Sequence, residues 1–579
     1  MNAPDAYRSA PFSTGWSMHG GCWSVRPDIE SFDHEARSIY LSPQEPSHAC
    51  WVVAWKGADG VSKVSFVEVL GDPTMCPTMN FNSPSLEGYN KTLTSEDGGR
   101  TWHDTGWKET LDNLDGNSDH HWRAVVVNED GSLLRMMPRC LPGVTDPDIG
   151  RLVYDPAAAE KPHPFVAQCP YETAQTYLIT YWRSQDGGRT WQEVCRYEPS
   201  SNMGRSNRDW FPTDLIRLRD SALLSIGRLG GELSVTESSD DARTWSPPQA
   251  LDLPIDLFGD LGWTEENVMT QLADGKVLVV CRVRGGDNRR LLRLARSGGR
   301  WEVDDHWVSD LPHAGHPFMR MAEDTTIFYS GDYGVYSSLD EGRTWTKQAD
   351  VSVYYPQWIE AEPRRIVTLG HHVGIGDSPW PPRQESDIRS AAFSYRPIEV
   401  LRQTDAGAGP CLAVLENSQC GNFHARARFS VMERAGIAFR IQDDPCKGYY
   451  VLVIRITDGP GRWPQPRDCR YVPAILELSK IVGAQSELIF KRFVGHARPG
   501  DLIELQIRME ADKILSAVKL PREGPREDVC VRGEPQYMAA SSGDLAQGRL
   551  GLFTHLCAAE FKDFTIWNEP QMIRDCWHG

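Results

Sequence analysis

The sequence predicts an all-β protein built from repeated antiparallel units, on three observations. Short apolar or alternating runs such as RAVVVNEDGSLLRMM, KVLVVCRV, TTIFYSG and YYVLVIRI recur along the chain, separated by Gly, Asp and Asn. That period of two, broken by turn formers, is the signature of strands. The 50 Gly, 39 Pro and 20 Trp supply turns and large inward-facing rings, while long amphipathic helix patterns are scarce. One eight-residue phrase is also written four times: SEDGGRTW from Ser95, SQDGGRTW from Ser184, SSDDARTW from Ser238 and SLDEGRTW from Ser338.

The phrase reads as Ser-x-Asp-x-Gly-x-Thr-Trp and suits a hairpin. Asp accepts from loop N–H groups, Gly permits positive φ, and Trp buries a large ring between neighbouring sheets. The third copy has Ala242 where the others have Gly99, Gly188 and Gly342, and a fifth, SGGRW ending at Trp301, has lost the Asp. Successive Trp are 89, 54, 56 and 44 residues apart, near the length of one four-stranded blade with insertions.

Bulk properties narrow the classes. At 579 residues the chain is too long for one core. Its formal charge of −18 argues against a nucleic-acid backbone or an anionic membrane as the main partner. No apolar run reaches the roughly 18 residues of a membrane-spanning helix. The opening MNAPDAYRSAPFSTGW has neither a basic n-region nor an apolar h-region, so a cytoplasmic protein is expected unless a leader has been trimmed. The 14 Cys are scattered with no metal-ligand spacing and read as reduced and buried.

The repeats resemble the Asp-boxes of the sialidase superfamily. The resemblance implies a β-propeller, six-bladed with seven as the alternative, over residues 1–395. The boxes would then be rim scaffold. In a propeller the innermost strands feed a central pocket. Five segments with leading polar or aromatic residues are candidates: SDHHWRAVVV, DWFPTDLIRL, WTEENVMTQL, HAGHPFMRM and YYPQWIEAE. They present His120 and His121, Asp209 and Trp210, Glu265 and Glu266, His316 with Arg320, and Tyr354 and Tyr355. Such residues at strand mouths are costly to bury without a task.

The resemblance extends to roles. ENVMTQLADGKVLVVCR is similar to the family segment whose glutamate draws the proton from a nucleophilic tyrosine and whose arginine grips the substrate carboxylate, which implies Glu266 and Arg282. SVYYPQWIEAEPRRIV resembles the stretch around that tyrosine and points to Tyr355. A neutral tyrosine is a poor nucleophile at its pKa of about 10, so an adjacent base is needed. The family's remaining arginines are not reproduced: SVRPDIE offers Arg26 and HPFMRM offers Arg320. A histidine-rich mouth with His120, His121, His316 and His371 stands instead, and imidazoles suit acid–base work near neutral pH. Neighbouring residues on a strand point to opposite faces, so the adjacent histidines make no metal site; a metal on His120, His316 and His371 is the lesser reading, and no metal or cofactor is expected.

From about residue 396 the boxes stop. FHARARFSV, AGIAFRIQD, GYYVLVIRI, DLIELQIRME and GRLGLFTHLCAAEFKDFTIW alternate as strands of a sandwich over 396–579. They resemble a laminin-G or concanavalin-like jelly roll, expected to pack or to bind glycan. The whole implies an exo-acting glycoside hydrolase acting on a terminal acidic sugar of an oligosaccharide or glycoconjugate. The general acid would come from His120, His121 or Asp209. A lyase cutting beside a uronic acid and a non-catalytic glycan-binding propeller are the alternatives.

Overall fold

The structure is a computed structural model. It describes residues 8–9, 11–44, 47–70, 87–110, 124–141, 176–197, 210–229, 232–253, 264–283, 288–312, 316–331, 334–350, 353–371, 387–405, 407, 409–456, 472–497, 500–510, 513–521, 528–532, 536–537, 547–555 and 557–567. The chain divides into two compact units, Glu30–Arg396 and Met1–Ile29 with Pro397–Gly579.

In the first unit five four-stranded antiparallel sheets stand as propeller blades. The first blade is Ser47–Lys56, Ser62–Leu70, Glu87–Ser95 and His103–Thr110. The second is Ala124–Val127, Leu133–Leu141, Thr176–Ser184 and Gln192–Tyr197, and the third is Trp210–Arg217, Leu223–Leu229, Glu232–Ser238 and Gln249–Ala250. The fourth is Thr264–Gln271, Val277–Val283, Asn288–Ser297 and Arg300–Pro312, and the fifth is Phe318–Met321, Ile327–Gly331, Gly334–Ser338 and Thr346–Ala349. A sixth antiparallel run, Tyr354–Glu362, Arg365–His371 and Ile388–Gln403, is joined by Trp23–Tyr40. The leading strand of each run neighbours that of the next, and the sixth returns to the first.

Each repeated phrase forms the same turn between the third and fourth strands of its blade. In the first copy Asp97 accepts from the Arg100 and Thr101 amides at 3.0 and 2.8 Å and from the Thr101 hydroxyl at 2.6 Å. The Gly99 amide donates to Ser95 Oγ at 2.9 Å. Gly99, Gly188 and Gly342 have φ of +81°, +98° and +84°, and Ala242 adopts +67° without the glycine. In the fourth blade a two-residue turn, Gly298-Gly299, at +58° and +81°, replaces the phrase.

The tryptophans fill the gaps between blades. Trp191 packs with Val53, Trp55 and Leu133, between the first and second blades. Trp245 lies between the second and third, Trp301 between the third and fourth, and Trp345 between the fourth and fifth. Trp102 packs with Ile359, Val367 and Leu369 of the sixth run, closing the circle.

The second unit has two antiparallel sheets enclosing one core. One contains Pro410–Cys420, Gly548–His555, Arg434–Ile441, Tyr449–Ile456, Val472–Val482 and Gln485–Ala497. The other contains Ala559–Trp567, Phe423–Val431, Leu502–Glu510, Lys513–Pro521 and Asp528–Arg532. Ile437, Leu452 and Leu552 of one meet Phe429, Leu505 and Phe561 of the other. Trp16–His19 pairs with Pro410–Cys420, so the first 29 residues fall with this unit and not with the propeller as expected. The reason is local: the leading residues complete sheets there as edge strands.

Candidate functional site

The hairpins joining first to second strands place one residue each in the left-handed region: Gly60, Gly131, Ser221, Gly275, Thr325 and Arg364, at φ between +63° and +90°. Nine residues before each stand Trp51, Trp122, Pro212, Glu266, His316 and Tyr355. The leading strands ring the axis, so equal distance from the hairpin puts Trp51, Pro212, Glu266, His316 and Tyr355 at one level of the hub. Trp122 lies outside the described residues. In the second strands Arg228, Arg282 and His371 follow the hairpin residue by seven.

Bulges mark this level. Pairing slips between Cys50 and Val53, between Pro212 and Asp214, between Thr264 and Asn267, and between Tyr354 and Gln357. A bulge turns a side chain out of its ordinary alternation. Trp51 and Tyr355 both sit at φ +53°, a conformation that costs an L residue roughly 1–2 kcal/mol.

The side chains converge. Glu266 is ion-paired to Arg282 through Nη1 and bonded through Oε1 to His316 Nε2. Arg282 Nη1 lies 3.5 Å from His316 Nε2. The His316 ring stacks on Tyr355, with centroids 3.2 Å apart and planes at 25°. Tyr355 in turn faces His371 at 5.6 Å and 27°, and the Trp51 amide donates to His371 Nδ1 at 3.4 Å. Burial pushes the Glu266 carboxyl upward, but His316 and Arg282 outweigh it and hold it at about 2. It is therefore a carboxylate at any ordinary pH, poor as a base by itself but well suited to orient an imidazole.

Of the residues expected from sequence, Glu266, Arg282, His316, Tyr355 and His371 are thus brought together. Arg320 is committed elsewhere: it makes a two-pronged contact with buried Asp214 at 2.6 and 2.8 Å and donates to Met269 O at 2.9 Å, tying the third, fourth and fifth blades. Trp210 is 2% exposed and packed with Leu134, Tyr181 and Leu223, so its ring is core. Arg26 belongs to the other unit, bonded to Glu560 at 3.1 Å. Neither Arg26 nor Arg320 joins Arg282. Glu265 and Tyr354 lie on the leading strands, but their side chains are outside the described residues, as are His120, His121 and Asp209 altogether. Trp51 was missed by sequence reasoning. The signal that finds it is its nine-residue distance from Gly60, shared with Glu266 and Gly275.

No family model and no curated protein matches the chain. Similar solved structures include a protein of unknown function from Dyadobacter fermentans, 17% identical, covering 64% of this chain and 99% of that one, TM-score 0.44. Another is the GH93 alpha-L-arabinofuranosidase of Fusarium graminearum, 12% identical, covering 63% and 98%, TM-score 0.41. A third is the Trypanosoma rangeli sialidase, 10% identical, covering 93% and 96%, TM-score 0.36. These likenesses are distant, and the functional reading rests on the chain's own residues.

Proposed function

We propose that the protein is a glycoside hydrolase that releases a terminal, acidic sugar from an oligosaccharide or glycoconjugate, with its site at the hub. The propeller is read as six-bladed, the run beginning at Tyr354 being the sixth blade, and the two-sheet unit as a jelly roll. What carries the functional reading is the convergence of a carboxylate, an imidazole and a phenol: Glu266 bonded to His316, and His316 stacked on Tyr355. Tyr355 is the nucleophile. Glu266, ion-paired to Arg282, orients His316, and His316 in its neutral form takes the phenolic proton, a task suited to an imidazole near neutral pH. Arg282 supplies positive charge for the substrate carboxylate while holding Glu266.

A second reading is favoured by one observation: Tyr355 has two imidazoles against it, His316 and His371. Histidine, tyrosine and arginine are also the set that elimination beside a uronate calls for. A panel of aryl-glycosides and acidic oligosaccharides separates the readings. Hydrolysis liberates the aglycone or reducing sugar, and elimination leaves an unsaturated, ultraviolet-absorbing uronate. Tyr355→Phe is expected to lower hydrolysis roughly 10³-fold or more. Full activity in that variant removes the nucleophile assignment, and binding without turnover across the panel removes the enzyme reading.

A further inference from the structure

At the other end of the blades lies a cleft of about 850 Å³, formed by the first two blades. The hairpin Gly57–Val61, Gly131 and the turn Asp186–Arg189 frame it. These hairpins are nine residues along the strand from the hub level, roughly 30 Å at 3.3 Å per residue, so the cleft is not a branch of the hub.

Its chemistry is distinctive. Trp107 lines it, with Nε1 donating to Arg189 O at 2.9 Å. Trp107 is delivered by a bulge: Lys91 pairs with Lys108 but Leu93 pairs with Asp104, leaving two extra residues in the outer strand. Gly106, at φ +72°, turns the bulge, and its amide is capped by Asp104 Oδ1 at 2.8 Å. Among the other outer strands, the shifts at Tyr181 and Val335 insert one residue, and that between Asn288 and Arg290 in the fourth blade inserts two. Thr94 and Thr105 line the same space, the Thr105 hydroxyl donating to Thr92 O at 2.9 Å, while the Thr92 hydroxyl is buried. Asp59, Glu96 and Asp186 add carboxylates and exposed Arg189 a guanidinium, while the cleft's buried cation, Lys63, is occupied by Gly187 O at 3.0 Å and by Asp59.

We propose that this cleft is a second, non-catalytic binding site for a neutral oligosaccharide. An indole face, the threonine side chains Thr94 and Thr105 and accepting carboxylates match the apolar faces and hydroxyl rims of sugar rings. The volume suits a ligand of several residues. The three carboxylates outnumber the two cations, of which Lys63 is already paired, and so disfavour an anionic chain; on the proposed reading of the hub, the two sites select different parts of a glycan.

The test is titration calorimetry of the full chain with soluble hexasaccharides (maltohexaose, cellohexaose, xylohexaose and arabinohexaose) and with a hexauronate. At least one neutral hexasaccharide is expected to bind saturably. Thr94→Arg, which fills the cleft from a half-exposed strand position, should weaken it at least ten-fold without moving the thermal midpoint. Trp107→Phe should weaken it as well. Tyr355→Phe should leave it intact, which keeps this test separate from the hydrolase reading. The proposal is overturned if no neutral hexasaccharide binds, if both cleft variants bind normally, if Tyr355→Phe removes the binding, or if the hexauronate binds more tightly.

Discussion

Glu266 is the residue on which the hub depends, because Arg282 and His316 both lean on its carboxylate. Glu266→Gln removes the charge that balances them, and an unbalanced cation in a partly buried site is destabilising. The expected cost is about 1–3 kcal/mol by denaturant unfolding, with turnover falling at least ~10²-fold because His316 loses its orienting partner. The pH behaviour follows from the sign of the shift. The ordinary value is 4.5 and the folded value about 2. The unfolded chain therefore binds the proton first, so the contribution of Glu266 to stability is complete above about 4.5 and is lost as pH falls through about 2. In Glu266→Gln this part of the acid limb should flatten; an unchanged limb would show that the ion pair contributes nothing.

At the scale of the element, the turns carry most of what is specific to this fold. Gly342 leaves no room for a side chain: a Cβ there would stand 2.8 Å from Leu278 Cδ2, and at Gly99 one would stand 2.6 Å from Val367 Cγ2. At Gly188 the nearest atom is Leu133 Cδ1 at 3.5 Å, ordinary contact. Alanine at all three meets the same positive-φ penalty, but only the first two add overpacking between blades. The expected losses are about 2–4 kcal/mol for Gly342→Ala and Gly99→Ala, and about 1–2 kcal/mol for Gly188→Ala. Equal losses at all three would show that backbone strain alone decides. Thr325 poses the reverse case. It is an exposed β-branched residue at φ +71°, where three other blades have Gly60, Gly131 and Gly275. Thr325→Gly should raise stability by about 0.5–1 kcal/mol, read as a shift in denaturation midpoint at unchanged slope.

At the scale of the whole propeller, the ring closes where the sixth run meets the first blade, by contacts of unequal weight. Arg100 and Glu362 form a two-pronged pair at 2.6 and 2.9 Å, but both are more than 40% exposed. Water and salt screen such a pair to at most about 1 kcal/mol. Gln357 Oε1 instead accepts the Ala54 amide at 2.8 Å within the hub. Gln357→Leu strands a buried N–H, which costs about 1–3 kcal/mol. The closure is therefore expected to be more sensitive to Gln357→Leu than to Arg100→Ala, and raised salt should weaken only the Arg100 contribution. The opposite ranking would place the clasp at the rim.

The strands, their turns and the between-blade tryptophans were legible in the sequence because local rules govern them. A period of two, an Asp three residues before an amide it caps, and a glycine where φ is positive are decided within a few residues. The repeated phrase at Ser95, Ser184, Ser238 and Ser338 therefore announced its own hairpins. Glu266, His316 and Tyr355 were legible as candidates because polar groups at strand mouths stand out, His371 as part of a histidine-rich set, and Arg282 because its segment resembles one of the sialidase superfamily. Their partnerships were not, since Glu266 and His316 lie on different leading strands and meet only when those strands ring an axis. The same closure took Arg320 to Asp214 and buried Trp210 in the core. It also placed Trp51, an ordinary apolar residue in sequence, beside His371. Side-chain chemistry is a local property, but which groups share a cavity depends on how the blades curve and how many residues separate each mouth from its hairpin, and that only the assembled ring decides.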